Sequence, residues 1–438
     1  MDYAASVEDL RRQLAALPIG APVRLGKKTS NLFRHRADSS HRLDVSAFSG
    51  VLSIGDGVAD VLGMTTYEDL VEATLPTGQM PLVVPQLKTI TLGGAVTGLG
   101  IESSSFRNGT PHESVLEMDV LTGAGQVVTC SRAENADLFY GFPNSYGTLG
   151  YALRLRIELE PVHPYVRLEH VRCASVAEAV EVMRRHSADF CDGTWFSASE
   201  VYITLGTWAD EAPHVSDYTG QQIYYRSIQQ RAEDCLTVRD YLWRWDTDWF
   251  WCSRAFGAQN PRIRRLIPRR YLRSDTWWKL VAFEQRHRWK TRWDRRRGRP
   301  EREEVVQDVE VPMDRLTDFM EAFAREVPIE PVWFCPLQQR SADDVWELYR
   351  MDPQQLYVNI GFWSSVALEP GEDPSRHNRL IEDLVEDLGG RKSLYSTSFY
   401  DCDRFWDLYN GEVYHLLKKR YDPGARLLDL YAKTVERS

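Results

Sequence analysis

The chain has 438 residues, of which 43% are hydrophobic and 26% charged; that length calls for two or three domains, and that balance excludes intrinsic disorder. Seven cysteines show no CxxC spacing, and their odd count argues against a complete disulfide framework; the absence of a leader or an apolar spanning run predicts a cytoplasmic protein. The formal charge of −10 is segregated: residues 262–302 hold sixteen Lys or Arg against four acids, so this block carries +12 and the rest of the chain −22.

In chain order, the first chemistry-bearing segment is the basic polar loop RLGKKTSN, residues 24–31, where Lys27, Lys28, Thr29, Ser30 and Asn31 could hold a pyrophosphate. Residues 91–109, TLGGAVTGLGIESSSFRNG, follow. Gly93, Gly94, Gly98 and Gly100 leave backbone amides free to approach a flat polyanionic ligand, and Ser103, Ser104 and Ser105 add hydroxyls. Neither GLGIES nor GDGVAD supplies GxGxxG after a strand, which disfavours a parallel dinucleotide fold.

Residues 115–160 predict antiparallel sheet. Leu153, Leu155, Ile157 and Leu159 alternate with Arg154, Arg156, Glu158 and Glu160 before Pro161 and Pro164, a domain boundary. Beyond it, helices are predicted at about 176–187, 314–327 and 376–388, with strands at 201–206, 305–311, 331–335 and 356–361. The pattern is α+β, a cap of helices on an antiparallel sheet. Between them, residues 243–302 interleave Arg and Lys with Trp. That composition suits an anionic headgroup boundary, and nucleic acid and a plain solvated face are the other readings; the lipid surface is favoured over both.

The order of basic loop, LPTGQMPLVVPQLKTITLGGAVTGLG, ENADLFYG and SYGTLG resembles the vanillyl-alcohol-oxidase, or PCMH-type, FAD-binding superfamily over about the first 160 residues. GIESSSFRNG, VVQDVEVPM, EPVWFCPL, LYVNIG and NGEVYHLLKKRYDP resemble the delta-24-sterol reductase (diminuto/seladin) family over most of the chain. The resemblance implies a PCMH-type FAD-binding domain at 1–162, a substrate cap at 163–392 and a return segment at 393–438 packing near the flavin. It implies FAD contacts at Lys27 to Asn31, Thr91, Gly93, Gly94, Gly98, Gly100, Ile101, Glu102, Ser103, Ser104, Gly147 and Gly150. The basic loop departs from the superfamily's RxGGG, the N-terminal membrane anchor of eukaryotic sterol reductases is missing, and no His stands at the covalent-attachment position, so noncovalent FAD is expected, with NADPH as reductant and no metal.

The implied reaction is reduction of an isolated carbon–carbon double bond. Such an alkene has no carbonyl to polarise it, so the site needs an acid, a dry cavity and electron-rich walls. The candidate acids are Glu102, inside the glycine run, and Tyr400 and Asp401 on the return segment; His112 and Cys335 read as structural. Two lipid substrates fit: a 10-methylene fatty-acyl chain in phospholipid, giving the 10-methyl branch of tuberculostearic acid, and a sterol side chain. The first is preferred, with a methyltransferase as the implied source of the methylene lipid and the inner face of the membrane as the working location. An alcohol or sugar-lactone oxidase and a flavin-retaining docking protein are the rivals.

Overall fold

The structure, a computed structural model, describes residues 2–18, 21, 23–27, 33–34, 41–287, 292–293 and 296–436, with the side chain of 285 omitted. The first half contains β1 (Val23–Leu25), β2 (His41–Leu43), β3 (Val51–Gly55), β4 (Val58–Leu62), β5 (Gln79–Pro81), β6 (Val115–Thr122), β7 (Val127–Ser131) and β8 (Gly150–Pro161). β1 and β2 pair in parallel; the rest form an antiparallel sheet in the order β3-β4-β8-β6-β7, with β5 along β8. The alternation foreseen for β8 is present. Leu153, Leu155, Ile157 and Leu159 are buried, while on the other face Arg154 pairs with Asp60 at 2.6 Å, Asp119 at 2.9 Å and Glu117.

After the Pro161–Pro164 break the chain builds β9 (Tyr165–Cys173), β10 (Phe190–Ser197), β11 (Glu200–Ala209), β12 (Glu233–Thr237), β13 (Arg302–Pro312), β14 (Val332–Leu337), β15 (Tyr357–Ala367) and β16 (Arg391–Lys392). They form one antiparallel sheet, ordered β12-β9-β11-β10-β14-β15-β13-β16. Helices Val176–Arg185, Leu316–Glu326 and Arg376–Asp387 cover one face with the apolar positions their 3.6-residue period predicts: Ala179 and Met183, Phe319 and Phe323, Ile381 and Val385. Ser175 caps the first by accepting the Glu178 amide. The predicted helix at 314–327 starts later, because residues 313–315 form a 3₁₀ turn. The other face of the sheet carries Trp333 and Trp363 into the core shared with the first half.

The basic aromatic block divides in two. Trp245, Trp251 and Trp277 are core residues, and Arg264 is buried in a bidentate pair with Asp248 at 2.6 and 2.9 Å, so the expectation that 243–302 forms one surface is corrected. Segregated charge gave no sign that residues 243–251, Arg264 and Trp277 pack inward. Helix Ser274–His287 buries Ser274 and Trp277 and exposes Lys279, Leu280, Phe283 and Arg286; Trp289 and Arg295 lie outside the described residues. The C-terminal segment returns to the first half: helix Gly411–Tyr421 seats Leu417 against Gly141, where a Cβ would stand 2.1 Å from a Leu417 methyl.

Candidate functional site

A cavity of about 320 Å³ lies where the two sheets and the returning chain meet. Its first wall is the backbone of Gly93, Gly94, Gly98, Gly100 and Ile101 with Thr91, Gly147 and Gly150. The glycines are required by close approach. A Cβ on Gly93 would stand 2.7 Å from the Gly63 carbonyl oxygen, and one on Gly98 would stand 3.2 Å from the Tyr146 ring. Tyr146 and Gly147 both have positive φ, which turns the SYGTLG loop toward the cavity. Arg24, Lys27, Arg34 and Lys433 bring four cations to the same rim, and Lys27 Nζ is 3.8 Å from where a Gly94 Cβ would be. Bare amide-bearing backbone beside clustered cations fits a phosphate-bearing, flat ligand.

The opposite wall is aromatic: Phe33, Trp249, Phe250, Trp333, Trp363 and Tyr395. Phe250 and Trp363 pack with ring centroids 4.3 Å apart. Trp249 and Phe250 both hold left-handed φ, 47° and 58°; bulky residues adopt that conformation at a cost of about 1–3 kcal/mol each, typically where the surrounding structure requires it.

Of the residues singled out from sequence, Lys27, Thr91, Gly93, Gly94, Gly98, Gly100, Ile101, Gly147 and Gly150 line this cavity. Lys28, Thr29, Ser30 and Asn31 lie outside the described residues. Glu102, Ser103 and Ser104 do not line it. Past Ile101 the chain dives between the halves, where Ser103 accepts the Cys191 amide of β10 at 2.8 Å and Ser104 Oγ donates to the Leu82 carbonyl at 2.8 Å. Glu102 accepts from the Ser103 amide and hydroxyl and pairs with Arg244 at 3.2 Å, and Arg244 also meets Asp192 at 2.9 Å. Burial pushes the Glu102 carboxyl upward against the pull of Arg244. Glu102 is thus part of a buried ionic cluster that ties the glycine run to the cap, off the cavity lining.

Tyr400 and Asp401 also stand off the cavity lining. Asp401 is exposed and caps helix Cys402–Leu408 by accepting the Arg404 amide at 3.0 Å, and Tyr400 packs against Tyr409 at 6.2 Å between centroids; neither lines the cavity. His112 is buried against Trp346, and burial lowers its pKa to about 3, which keeps it neutral. Cys335 is fully buried.

The residue that sequence reasoning missed is Asp308 on β13, the one carboxylate among the described residues that line the cavity. Its oxygen would stand 2.5 Å from a Cβ at Gly361 on β15, so that glycine makes room for it. Tyr395 and Asn359 hydrogen-bond it, the latter at 3.4 Å, and the Trp363 indole N–H donates to the Tyr395 hydroxyl at 2.9 Å. Burial raises Asp308 to about 7. Next on the same strand face, Glu310 is hydrogen-bonded by Tyr349 and raised to about 8. The available signal was two acids at i, i+2 alternating with Val305, Val309 and Val311.

Residues 3–131 match the family described as FAD binding domain. The rice cytokinin dehydrogenase 7 is 33% identical over 440 residues, covering 96% of this chain and 83% of the relative. The chain belongs to the FAD-binding oxidoreductases. Its first domain is PCMH-type, and the glycine-and-cation wall is the part of this FAD-binding protein suited to a dinucleotide. The human delta(24)-sterol reductase is 28% identical over 364 residues, 77% of this chain, and that of Arabidopsis thaliana 23% over 444 residues, 90% of this chain. The chain spans 66% of the length of the human relative and 76% of the plant one. Among the described residues no helix is long and apolar enough to cross a membrane, and no cluster of His, Cys, Asp and Glu is arranged to hold a metal ion.

Proposed function

We propose that this protein is a noncovalent FAD-dependent, NADPH-using reductase of an isolated carbon–carbon double bond in a lipid, converting a 10-methylene acyl chain in phospholipid to its 10-methyl product. The observation that carries this reading is a cavity lined both by bare backbone with cations and by aromatic side chains. In the proposal, Lys27, Arg34 and Lys433 offset the phosphate charge of the dinucleotide, and the glycine backbone admits its flat ring. When bound, FAD supplies two-electron transfer. The chain's own contribution is exclusion of water and stabilisation of positive charge developing on the substrate, to which desolvated aromatic faces contribute about 1–2 kcal/mol each. The likeness to sterol reductases supports a second lipid substrate, a sterol side-chain alkene.

The test is anaerobic. NADPH is expected to bleach the bound flavin, and 10-methylene phospholipid to reoxidise it with formation of the 10-methyl chain. Turnover with a sterol side-chain alkene alone would move the assignment to the second reading, and rapid reoxidation by oxygen alone would favour an oxidase.

The same proposal places the protein at the inner face of the membrane. Ile263, Leu266, Tyr271, Leu280, Phe283 and Trp293 are exposed, Leu266 at 82% and Trp293 at 55%, in a segment that also exposes Arg262, Arg265, Arg270, Arg286, Arg296 and Arg297. Arg297 lies over the Trp293 ring at 4.3 Å. Apolar side chains rimmed by cations suit an anionic bilayer surface, each cation near it contributing about 1 kcal/mol within a Debye length of ~8 Å. Arg296→Glu with Arg297→Glu, or Phe283→Ala with Trp293→Ala, is therefore expected to lower co-sedimentation with anionic vesicles on the order of tenfold at low salt while leaving flavin content unchanged. Unchanged binding at low and high salt would return this segment to a solvated face.

A further inference from the structure

We infer that Asp308, positioned by Tyr395, is the acid that delivers the proton to the substrate's carbon–carbon double bond. This rests on the reductase reading above. It stands first on placement: among the described cavity-lining residues Asp308 is the one carboxylate, it shares the cavity lining with Trp249, Phe250, Trp333 and Trp363, and the missing side chain of Gly361 leaves its oxygen room. It stands second on orientation. Asp308 lies on the β13 face opposite Val305, Val309 and Val311, which are sealed under the helices. Tyr395, fixed by the Trp363 indole N–H at 2.9 Å and edge-on to Phe33 at 5.9 Å, hydrogen-bonds the carboxyl from the side.

The step balances. The alkene π bond breaks and its electron pair forms a C–H bond with the Asp308 proton. The carbon bearing two alkyl groups becomes electron-poor beside the indole faces; reduced FAD, when bound, would supply the hydride it needs and be oxidised by two electrons. The carboxylate recovers its proton from water through the Tyr395 hydroxyl.

The groups that share the field of Asp308 are Tyr395 from the return segment, Asn359 from β15, Glu310 along its own strand and Tyr146 from the SYGTLG loop. Arg34 and Lys433 pack against Tyr146 in turn. Burial raises Glu310 to about 8 and Tyr395 well above its ordinary value, so both are still neutral where Asp308, raised to about 7, gives up its proton. A raised carboxyl donates below that value. The rate of flavin reoxidation by alkene in the unmodified holoprotein is thus expected to fall as pH climbs through about 7.

The experiment uses the FAD-loaded protein, its Asp308→Asn variant, isosteric at the crowded Gly361 contact, and Tyr395→Phe. Each variant's reoxidation is read against its own rate of anaerobic bleaching by NADPH, and the ratio for 10-methylene phospholipid is expected to fall about a hundredfold or more in Asp308→Asn. Tyr395 stabilises the charged carboxylate, so Tyr395→Phe should move the alkaline limb to higher pH. Infrared difference spectra taken without turnover should contain a protonated-carboxyl band that titrates near 7 and is missing in Asp308→Asn. Wild-type reoxidation rates in Asp308→Asn, or a band unaltered by that substitution, would overturn the inference alone. Unmodified protein that no lipid alkene reoxidises would overturn the reductase reading, and the inference with it.

Discussion

Replacing Arg244 with methionine is expected to lower the melting temperature by roughly 5–10 °C and to weaken FAD retention at the same time. Arg244 is completely buried, bonded to Asp192 and Glu102 and stacked over Tyr241 at 4.0 Å from the ring centroid. The indoles of Trp245 and Trp333 donate to the same Asp192 oxygen at 3.3 and 3.1 Å. Removing the cation leaves two carboxylates in the core without the guanidinium that pairs with both, and breaking a buried pair on one side costs about 3–5 kcal/mol. Glu102 follows directly on the cavity wall at Ile101, so the disturbance reaches the cofactor. Adding Asp192→Asn and Glu102→Gln to Arg244→Met should recover part of the loss, because both amides still accept hydrogen bonds while the uncompensated charge is gone. Thermal melts of the three proteins decide it; an unshifted Arg244→Met melt would show that the cluster carries no such strain.

Gly98→Val is expected to raise the FAD dissociation constant roughly 5- to 150-fold with the fold intact. Its Cβ would press on the Tyr146 ring at 3.2 Å and the Gly94 carbonyl at 3.0 Å, both in the wall facing the ligand. Overpacking of this kind costs about 1–3 kcal/mol, which converts to that range of affinity. The cause differs from a side chain simply filling cofactor space: the wall itself must move. Gly55→Ala, where a methyl meets nothing within 4 Å, should leave affinity unaltered. Fluorescence titration of apoprotein with FAD measures both, and equal dissociation constants would mean that the 93–101 run does not shape the binding wall.

Sequence carried the periodic parts well, for a physical reason. β8 buries one face, so its leucines and arginines must alternate, and each cap helix buries a single stripe. The glycine run was legible because close backbone approach leaves no residue type but glycine. The acids were not legible. Whether Glu102 points into the cavity or into the core depends on Arg244, more than a hundred residues away in the chain. Asp308 alternates with valines as a solvent-facing strand residue would, and only the fold reveals that Trp249 and Phe250 cover that face. Tyr400 and Asp401 lie on the correct segment, but the return chain delivers Tyr395 and Lys433 to the cavity and spends Asp401 on a helix cap. Charge counting likewise blurred 243–302, because a buried Arg264 and an exposed Arg297 are the same letter.

The most direct test of the whole account is a crystal structure of the protein grown with FAD and a 10-methyl phospholipid. The flavin ring is expected against the 93–101 backbone, its pyrophosphate among Lys27, Arg34 and Lys433, and the branched carbon of the chain between the flavin and Asp308 beside Trp333 and Trp363. FAD bound away from this cavity, or lipid density that avoids the Asp308 wall, would contradict it.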